Sequence, residues 1–484
     1  MSDIQILAEA ASSQLSADVV VIGTGAGGSA AAGALRRQGA DILMIEAGNA
    51  HSQHAGRHLR NDLPDDDFYS KAFGMLAPHA GSGEPMRGLP GVGGIHAVGG
   101  MMIAWSHAVP RPHVDVEWDG TFPKDELERH LADAEALLGA TDDLYGSGNP
   151  RQQWVAQRIA ERLVEAPRST PLAAKRTAGG TVEWSGSDAL LSAGDDAGKV
   201  TILSGFVARK VRHRDARGLA VEAYDGRGSI VTVTADAFVI GGGAFGGPQL
   251  LHASGLRHPA LGRYLTDHLN VVLTVPLEDG VPPATADSPI ALHLPVSRSR
   301  PFHTGILDLP SVAHQGWLVG GDPRRATTLG AFVGTEPVAH NRLLFHDSRT
   351  DAFGLPAVDA EVHLTEGDHA RAVQALAFEY EVARTIGDPW RNTTALLRPP
   401  GSSLHVMGTH RLGSDENTSV ADMYGRLRGS DNIYLVGNGV LGSRNSCNPT
   451  LTTVALALRA AEHLSDRGRF RGRTVPGAEP VTAR

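Results

Sequence analysis

Apolar positions along the chain follow different rhythms, and each predicts a different kind of element. Residues 17–23, ADVVVIG, are a short β-branched run of the kind carried by a strand buried on both faces. The small-residue segment GGSAAAGALRRQG follows and predicts a helix ending at Gly39, after which ADILMIE predicts a second strand. Residues 17–46 thus read as one strand–helix–strand unit. Helical spacing of apolar residues returns near 124–139 and 151–165 and predicts two amphipathic helices. Between 200 and 242 the runs VTILSG, ARKVRHR, LAVEAY and SIVTVTADAFVIGGG read as strands. DNIYLVGNG, from residue 431, predicts another buried strand, and Pro449 opens a helix running to about Leu464. Residues 51–90 are polar and predict loops and short helices, whereas 265–400 have many Pro breaks and no strong period. That stretch is assigned to a second domain by elimination, and the tail from 467 to 484 is expected to be mobile.

Composition narrows the class. A chain of 484 residues exceeds the usual size of one core, so two domains are expected. Its 41% hydrophobic and 20% charged content is that of an ordinary globular protein. The 58 glycines cluster in a few places, which points to backbone closely approached by a ligand. Net charge is −9 and no basic stripe with interleaved aromatics occurs, so no nucleic-acid partner is expected. The single cysteine, Cys447, excludes an internal disulfide and a CxxC redox pair, and reads as a small packing residue. The first residues show no charged segment followed by an apolar run, Arg36-Arg37 lies inside a predicted helix, and no stretch approaches a bilayer span. A cytoplasmic protein with no membrane partner and no metal site is expected.

The first chemical signal is Gly23-Thr24-Gly25-Ala26-Gly27-Gly28, a GxGxxG pattern between strand and helix. Gly23 permits the tight turn, Gly25 lets backbone approach a pyrophosphate, and Gly28 allows helix and strand to pack closely. The helix start offers unpaired N–H groups and a positive dipole end to phosphates. Glu46 closes the second strand 18 positions after Gly28, where a carboxylate can accept both ribose hydroxyls. An acid there favours an unphosphorylated adenosine ribose, hence FAD or NAD rather than NADP. The pattern alone does not separate those two.

Four further segments, taken together, resemble the glucose–methanol–choline (GMC) oxidoreductases. Gly91 to Arg111, GVGGIHAVGGMMIAWSHAVPR, is similar to that family's flavin-attachment loop. Gly243 to Leu256, GAFGGPQLLHASGL, is similar to its second signature, with Gly247 where Ser or Thr is usual and Arg257 where Gly is usual. LHVMGTHRLG (404–413) and NSCNPTLT (445–452) resemble the paired catalytic motifs of the pyranose-oxidase branch. Upstream, Gly205-Phe206-Val207-Ala208 resembles the segment whose backbone meets the adenine. The resemblance covers roughly residues 15–265 and 400–466 and is faint between them.

The resemblance implies an α/β fold: a Rossmann-like FAD-binding domain, discontinuous over 1–265 and 400–466, and a substrate-binding α+β domain over 266–399 with a mainly antiparallel sheet. It implies FAD contacts from Gly23, Gly25, Ala26, Gly28, Glu46, Ala47, Gly99, Gly100, Ser106, Val207, Gly243, Asn438, Gly439, Asn448, Pro449 and Thr450. It also implies that His405 and Asn448 face flavin and substrate, His405 as the base, although His410 lies in the same motif. Asn448 precedes Pro449 and is equally suited to cap the helix that follows. Many pyranose oxidases tether FAD through a loop histidine; aligning through Gly99-Gly100-Met101 and Trp105 puts Ala104 at that place, so dissociable FAD is expected. A shifted alignment would instead offer His107.

The activity so implied is oxidation of a secondary sugar hydroxyl to a ketone. The compact chain and missing tether resemble bacterial enzymes that oxidise C3 of a glucosyl unit, including C-glycosides, with oxygen as acceptor and hydrogen peroxide as product. The alternatives are a pyranose 2-oxidase or an FAD-dependent sugar dehydrogenase acting on free monosaccharides with another acceptor. An NAD-dependent dehydrogenase would share the glycine turn and Glu46 but would not need the His/Asn pair, and flavin absorbance separates it. A non-catalytic flavoprotein would hold flavin that no alcohol reduces.

Overall fold

The architecture is described from a computed structural model, which covers residues 4–52, 54–78, 85–118, 123–145, 148–163, 165–192, 198–285, 289–308, 322–390, 395–467 and 479–480. The predicted strand–helix–strand unit is the centre of a nine-stranded sheet. Strands Ile4–Leu7, Val200–Ser204, Ile42–Glu46, Gln14–Ile22 and Ile230–Ile240 lie side by side and parallel. The last of these is shared. Its first half pairs antiparallel with Arg217–Asp225, and its second half pairs parallel with Ile433–Leu435. That arrangement carries the C-terminal segment to the sheet's carboxyl edge.

The helix Ala26–Arg36 explains its own composition. A Cβ at Gly28 would lie 2.0 Å from the Gly23 carbonyl oxygen, at Gly27 2.5 Å from Gly437 N, and at Gly33 1.9 Å from the Leu190 carbonyl oxygen. Small residues therefore let the helix sit against its strand, the 437 turn and helix Ser187–Leu191 at once. Helix Thr450–Arg467 packs beside it, so Leu451, Val454 and Leu458 share one core with Val19–Val21 and Ile42–Ile45. The amphipathic helices form at Lys124–Leu138, closed by Gly139 with φ +60°, and at Pro150–Arg162, capped by Asn149, whose side chain accepts Gln152 N–H at 3.1 Å. The second is shorter than the 151–165 pattern suggests.

Residues 265–400 build mainly a second layer. Its sheet is antiparallel throughout, in the order Ala395–Leu397, His268–Pro276, Ala326–Gly334, His303–Leu307, Ala291–Leu294 and Arg168–Ser169. One face, with Leu269, Val271, Leu273, Val275 and Leu329, is covered by helices Pro150–Arg162 and Glu366–Ile386. Thus 150–169 contributes to this layer from outside the 266–399 range. The other face carries His268, Phe332 and His303, since side chains alternate along each strand. A hairpin of Arg342–Thr350 and Pro356–Glu361 leaves this layer and packs on Phe245, Leu265 and Val406.

Of the 467–484 tail, Arg467 ends a helix and Glu479–Pro480 pair with strand Gln14–Ile22; the remainder lies outside the described residues. Among the described residues no helix is long and apolar enough to cross a membrane.

Candidate active site

A cavity of about 570 Å³ opens at the carboxyl ends of the parallel strands, where open α/β sheets place their ligands. Its floor begins at the glycine turn. Gly23 has φ +93° and Cβ space blocked by the Gly241 carbonyl oxygen at 2.5 Å, so only glycine is tolerated there. Gly25 differs: a Cβ there would meet no protein atom within 4 Å, and the same holds for Gly94, Gly243 and Gly246 on this wall. Those glycines leave open space that a ligand can fill. The adjoining helix starts at Gly25 without a side-chain cap, so its first N–H groups face the cavity end of the turn. The residues present therefore fit a dinucleotide.

Glu46 is buried at the end of its strand and lines the cavity. Its carboxylate accepts Thr24 N–H at 3.0 Å, Thr24 Oγ1–H at 2.7 Å and Gly48 N–H at 2.9 Å. Burial raises its pKa, and these bonds oppose the rise. Its spare acceptor capacity is thus smaller than the motif alone implies. Thr24, an unspecified position in the pattern, also accepts Gly99 N–H at 2.8 Å and so ties the glycine turn to the 91–111 loop. That loop winds through Gly99 and Gly100 at positive φ into a short helical turn, Gly100–Ile103. Ala104 and Ser106 lie on the wall; the buried His107 ring packs against His58, Trp105 and Trp184, outside it.

Of the residues expected at the cofactor, Gly23, Gly25, Ala26, Glu46, Ala47, Gly100, Ser106, Val207, Gly243, Asn438, Asn448, Pro449 and Thr450 share this wall. Gly28, Gly99 and Gly439 lie behind it. Gly28 serves helix–strand packing, Gly99 meets Ile103 and Gly56, and a Cβ at Gly439 would run into the His410 ring at 1.9 Å.

His405 and Asn448 come together on the same wall. Asn448 Nδ2 lies 3.5 Å from His405 Nε2, and both residues line the cavity. The following helix begins at Thr450, with the Pro449 carbonyl accepting Thr453 N–H at 2.8 Å, while the Asn448 amide reaches His405. Burial, with a smaller contribution from His303, lowers the His405 pKa to about 3. The ring is therefore neutral at any working pH, far from the ordinary value of about 6.5. Leu404, just before it, holds φ +61°, a strained conformation for a non-glycine residue and one that clusters at functional sites. His410 is buried away from the wall, its ring wedged between Gly247 and Gly439. Gly247 departs from the signature for that reason, since a Cβ there would approach His410 Cε1 to 3.0 Å.

Sequence reasoning missed several supports. His268 Nδ1 lies 2.9 Å from His405 Nδ1, and Phe332 stands on the wall with its ring centre 4.9 Å from that of His405. Ser403 Oγ accepts His405 N–H at 3.0 Å and donates to buried Asp267. Burial pushes the Asp267 carboxyl up to about 6 despite that bond. Glu117, in a short helix, accepts Ser446 N–H at 2.5 Å and Cys447 N–H at 3.0 Å and so pins the loop carrying Asn448. One acid among three in HVDVEWDG (113–120) gave no signal of this. Cys447 is buried, and burial holds its thiol well above the ordinary range. Among the described residues no three His, Cys, Asp or Glu side chains are grouped to hold a metal ion.

Comparison with known proteins gives consistent findings. Residues 181–270 and 337–457 match two sequence models described as GMC oxidoreductase. A C-glycoside 3-oxidase of Microbacterium trichothecenolyticum is 32% identical, over 93% of this chain and 96% of that protein. A pyranose 2-oxidase of Tricholoma matsutake is 27% identical, over 80% of this chain and 76% of its own. Among solved structures, pyridoxine 4-oxidase from Mesorbium loti superposes with a TM-score of 0.63 at 18% identity, covering 93% of this chain and 100% of that one. A formate oxidase superposes with a TM-score of 0.68 at 14% identity, covering 94% and 99%.

Proposed function

The chain belongs to the GMC oxidoreductase family, and from that premise we propose that it oxidises C3 of a glucosyl unit in a glycoside, C-glycosides included, to the ketone. It is an FAD-dependent oxidoreductase acting on CH–OH groups. The observation that carries the reading is the His405–Asn448 pair, 3.5 Å apart, on the wall of the cavity that the Gly23–Gly25 turn also lines. The substrate class follows the likeness to the C-glycoside 3-oxidase, and the likeness to a pyranose 2-oxidase supports free pyranoses as the second reading.

The turn at Gly23–Gly25 and Glu46 would hold the adenosine diphosphate half of FAD, and Gly100, Ser106, Asn438 and Asn448–Thr450 the flavin half. When bound, FAD supplies the acceptor for the carbinol hydride. His405 Nε2 takes the hydroxyl proton, and Asn448 Nδ2 orients the same oxygen. Attachment without a covalent bond is supported by Ala104 at the wall and by the enclosure of His107 among aromatic rings. Oxygen is the proposed reoxidant, giving hydrogen peroxide.

Anaerobic flavin bleaching tests the whole. The purified protein is mixed with glucose or with a C-glucoside, and air is then admitted. Faster bleaching by the C-glucoside, with recovery and peroxide in air, is expected. Bleaching mainly by glucose transfers the assignment to the pyranose reading, and a yellow protein that neither sugar reduces sinks the carbohydrate assignment. Bleaching without recovery in air makes it a dehydrogenase.

A further inference from the structure

His405 can accept a proton at Nε2 only if its own proton resides on Nδ1, and an isolated neutral imidazole does not enforce that choice. The structure contains a chain of contacts that does. His268 Nε2 lies 2.9 Å from the backbone carbonyl oxygen of Asn445, and a carbonyl can only accept. The proton of neutral His268 is therefore on Nε2, which leaves a lone pair on Nδ1. That lone pair points at His405 Nδ1, 2.9 Å away, so His405 must donate there and keep its Nε2 lone pair free. The Asn448 amide, 3.5 Å from Nε2, faces that lone pair with a donor. Every contact agrees with one proton arrangement.

We infer that His268 is the positioning residue of the reaction: it fixes the tautomer of His405 and stabilises the imidazolium formed once His405 has taken the substrate proton. This rests on the assignment of His405 as the base. The surroundings look built for the purpose. Phe332 packs edge-on or tilted against both rings, at 4.9 Å from His405 and 5.3 Å from His268, and restricts their rotation. The Asn445 carbonyl sits where a Cβ on Gly334 would approach to 2.3 Å, and Gly334 is the cross-strand partner of His268. The groups facing the pair are His303, Asn448 and, through Ser403, Asp267. Burial keeps His268 itself well below the ordinary histidine range, so it remains an acceptor. The Nδ1–H bond to His268 strengthens when His405 becomes charged, which works against the burial that lowers its pKa.

The test has two arms on the holoenzyme. First, nitrogen-15 spectra of labelled histidines, with His405→Gln for assignment, should show His405 Nδ1 as pyrrole-type and Nε2 as pyridine-type; the reverse overturns the inference without any change at His268. Second, His268→Phe keeps a ring but no acceptor. It should retain FAD and KM while kcat falls about 10- to 100-fold, the usual worth of a hydrogen bond to a charged group. His268→Asn, which returns an acceptor near the Nδ1 position, should recover most of the loss. A flavin-loaded His268→Phe with the parent kcat, or an Asn variant no better than Phe, refutes the role. If neither variant folds, the spectrum decides alone. Full activity in His405→Ala would instead overturn the base assignment of the preceding reading.

Discussion

Acid should unfold this protein well before it titrates most carboxylates, because the fold stores neutral histidines where protons cannot follow. Burial lowers His58 and His405 to about 3 and His293 and His410 to about 4. In the unfolded chain each returns to about 6.5. The unfolded state therefore binds more protons below that value, and stability falls as pH falls through it, the loss completing only near the folded pKa values. From pH 7 to pH 5 each such histidine costs about 2 kcal/mol, so these four cost about 8 kcal/mol. His107, His268 and His303, also held well below the ordinary range, act in the same direction. Carboxyls raised by burial oppose them: Asp267, at about 6, favours the fold at low pH and loses that contribution as pH rises through 6, and Glu46, Glu117, Asp188 and Glu379 act in the same direction. Over the same interval Asp267 returns about 1 kcal/mol, less than one histidine costs. The histidines win, by an amount comparable to the ~5–15 kcal/mol that holds a typical domain together. Urea midpoints of the FAD-loaded protein at pH 5, 6, 7 and 8 and constant ionic strength should fall steeply below 6.5. A midpoint that is flat between pH 7 and pH 5 refutes the reasoning.

Other outcomes follow from single positions. Gly25→Val adds a side chain into cavity space free of protein atoms, so the fold should keep its melting temperature while FAD affinity drops at least about tenfold by absorbance titration. Gly28→Ala should do the opposite, lowering stability through contact with the Gly23 carbonyl oxygen before it weakens FAD binding at the folded sites. Acid precipitation should leave all the flavin in the supernatant; flavin retained in the pellet refutes the dissociable assignment. Glu117→Ala removes the oxygen that accepts the backbone N–H groups of Ser446 and Cys447, so Asn448 should lose its fixed position and kcat fall about tenfold with the protein still folded. Parent-like kcat would mean the Asn448 loop needs no such anchor.

What the sequence disclosed about fold and site divides by the range of the physics involved. The glycine turn, its strand and helix, and Glu46 are local: their residues fall within 23–46, and the steric demands act between neighbours. The antiparallel layer was illegible by comparison, although its central strand alternates faces. In His268–Pro276 the apolar Leu269, Val271, Leu273 and Val275 face the helices, and His268, Asn270 and Thr274 lie on the other side, with only Val272 breaking the rhythm. The short partner strands and prolines around it hid that pattern. Strand Ile4–Leu7 was missed because four residues give no periodicity to read.

The two histidines of LHVMGTHRLG show where sequence stops and packing takes over. His410 is fully buried whereas His405 is half-buried, and both carry lowered pKa values, about 3 for His405 and about 4 for His410, so electrostatics does not distinguish them. Glycine does. Gly247 and Gly439 clear a slot that the His410 ring occupies, away from the cavity wall. No side chain larger than hydrogen fits at Gly439, so filling that slot with an imidazole is a packing requirement. His405 has no such slot. It follows a strained Leu404, meets cavity space, and takes its contacts from His268, 137 positions away, and Asn448, 43 positions away. Those separations explain the blind spot: each partner is an ordinary residue in its own stretch, and only the junction of the parallel sheet, the antiparallel sheet and the C-terminal segment makes them one chain of proton donors and acceptors. Strain at Leu404 then costs stability for a placement that local packing does not require, which is the expected signature of a histidine kept for chemistry rather than for the core.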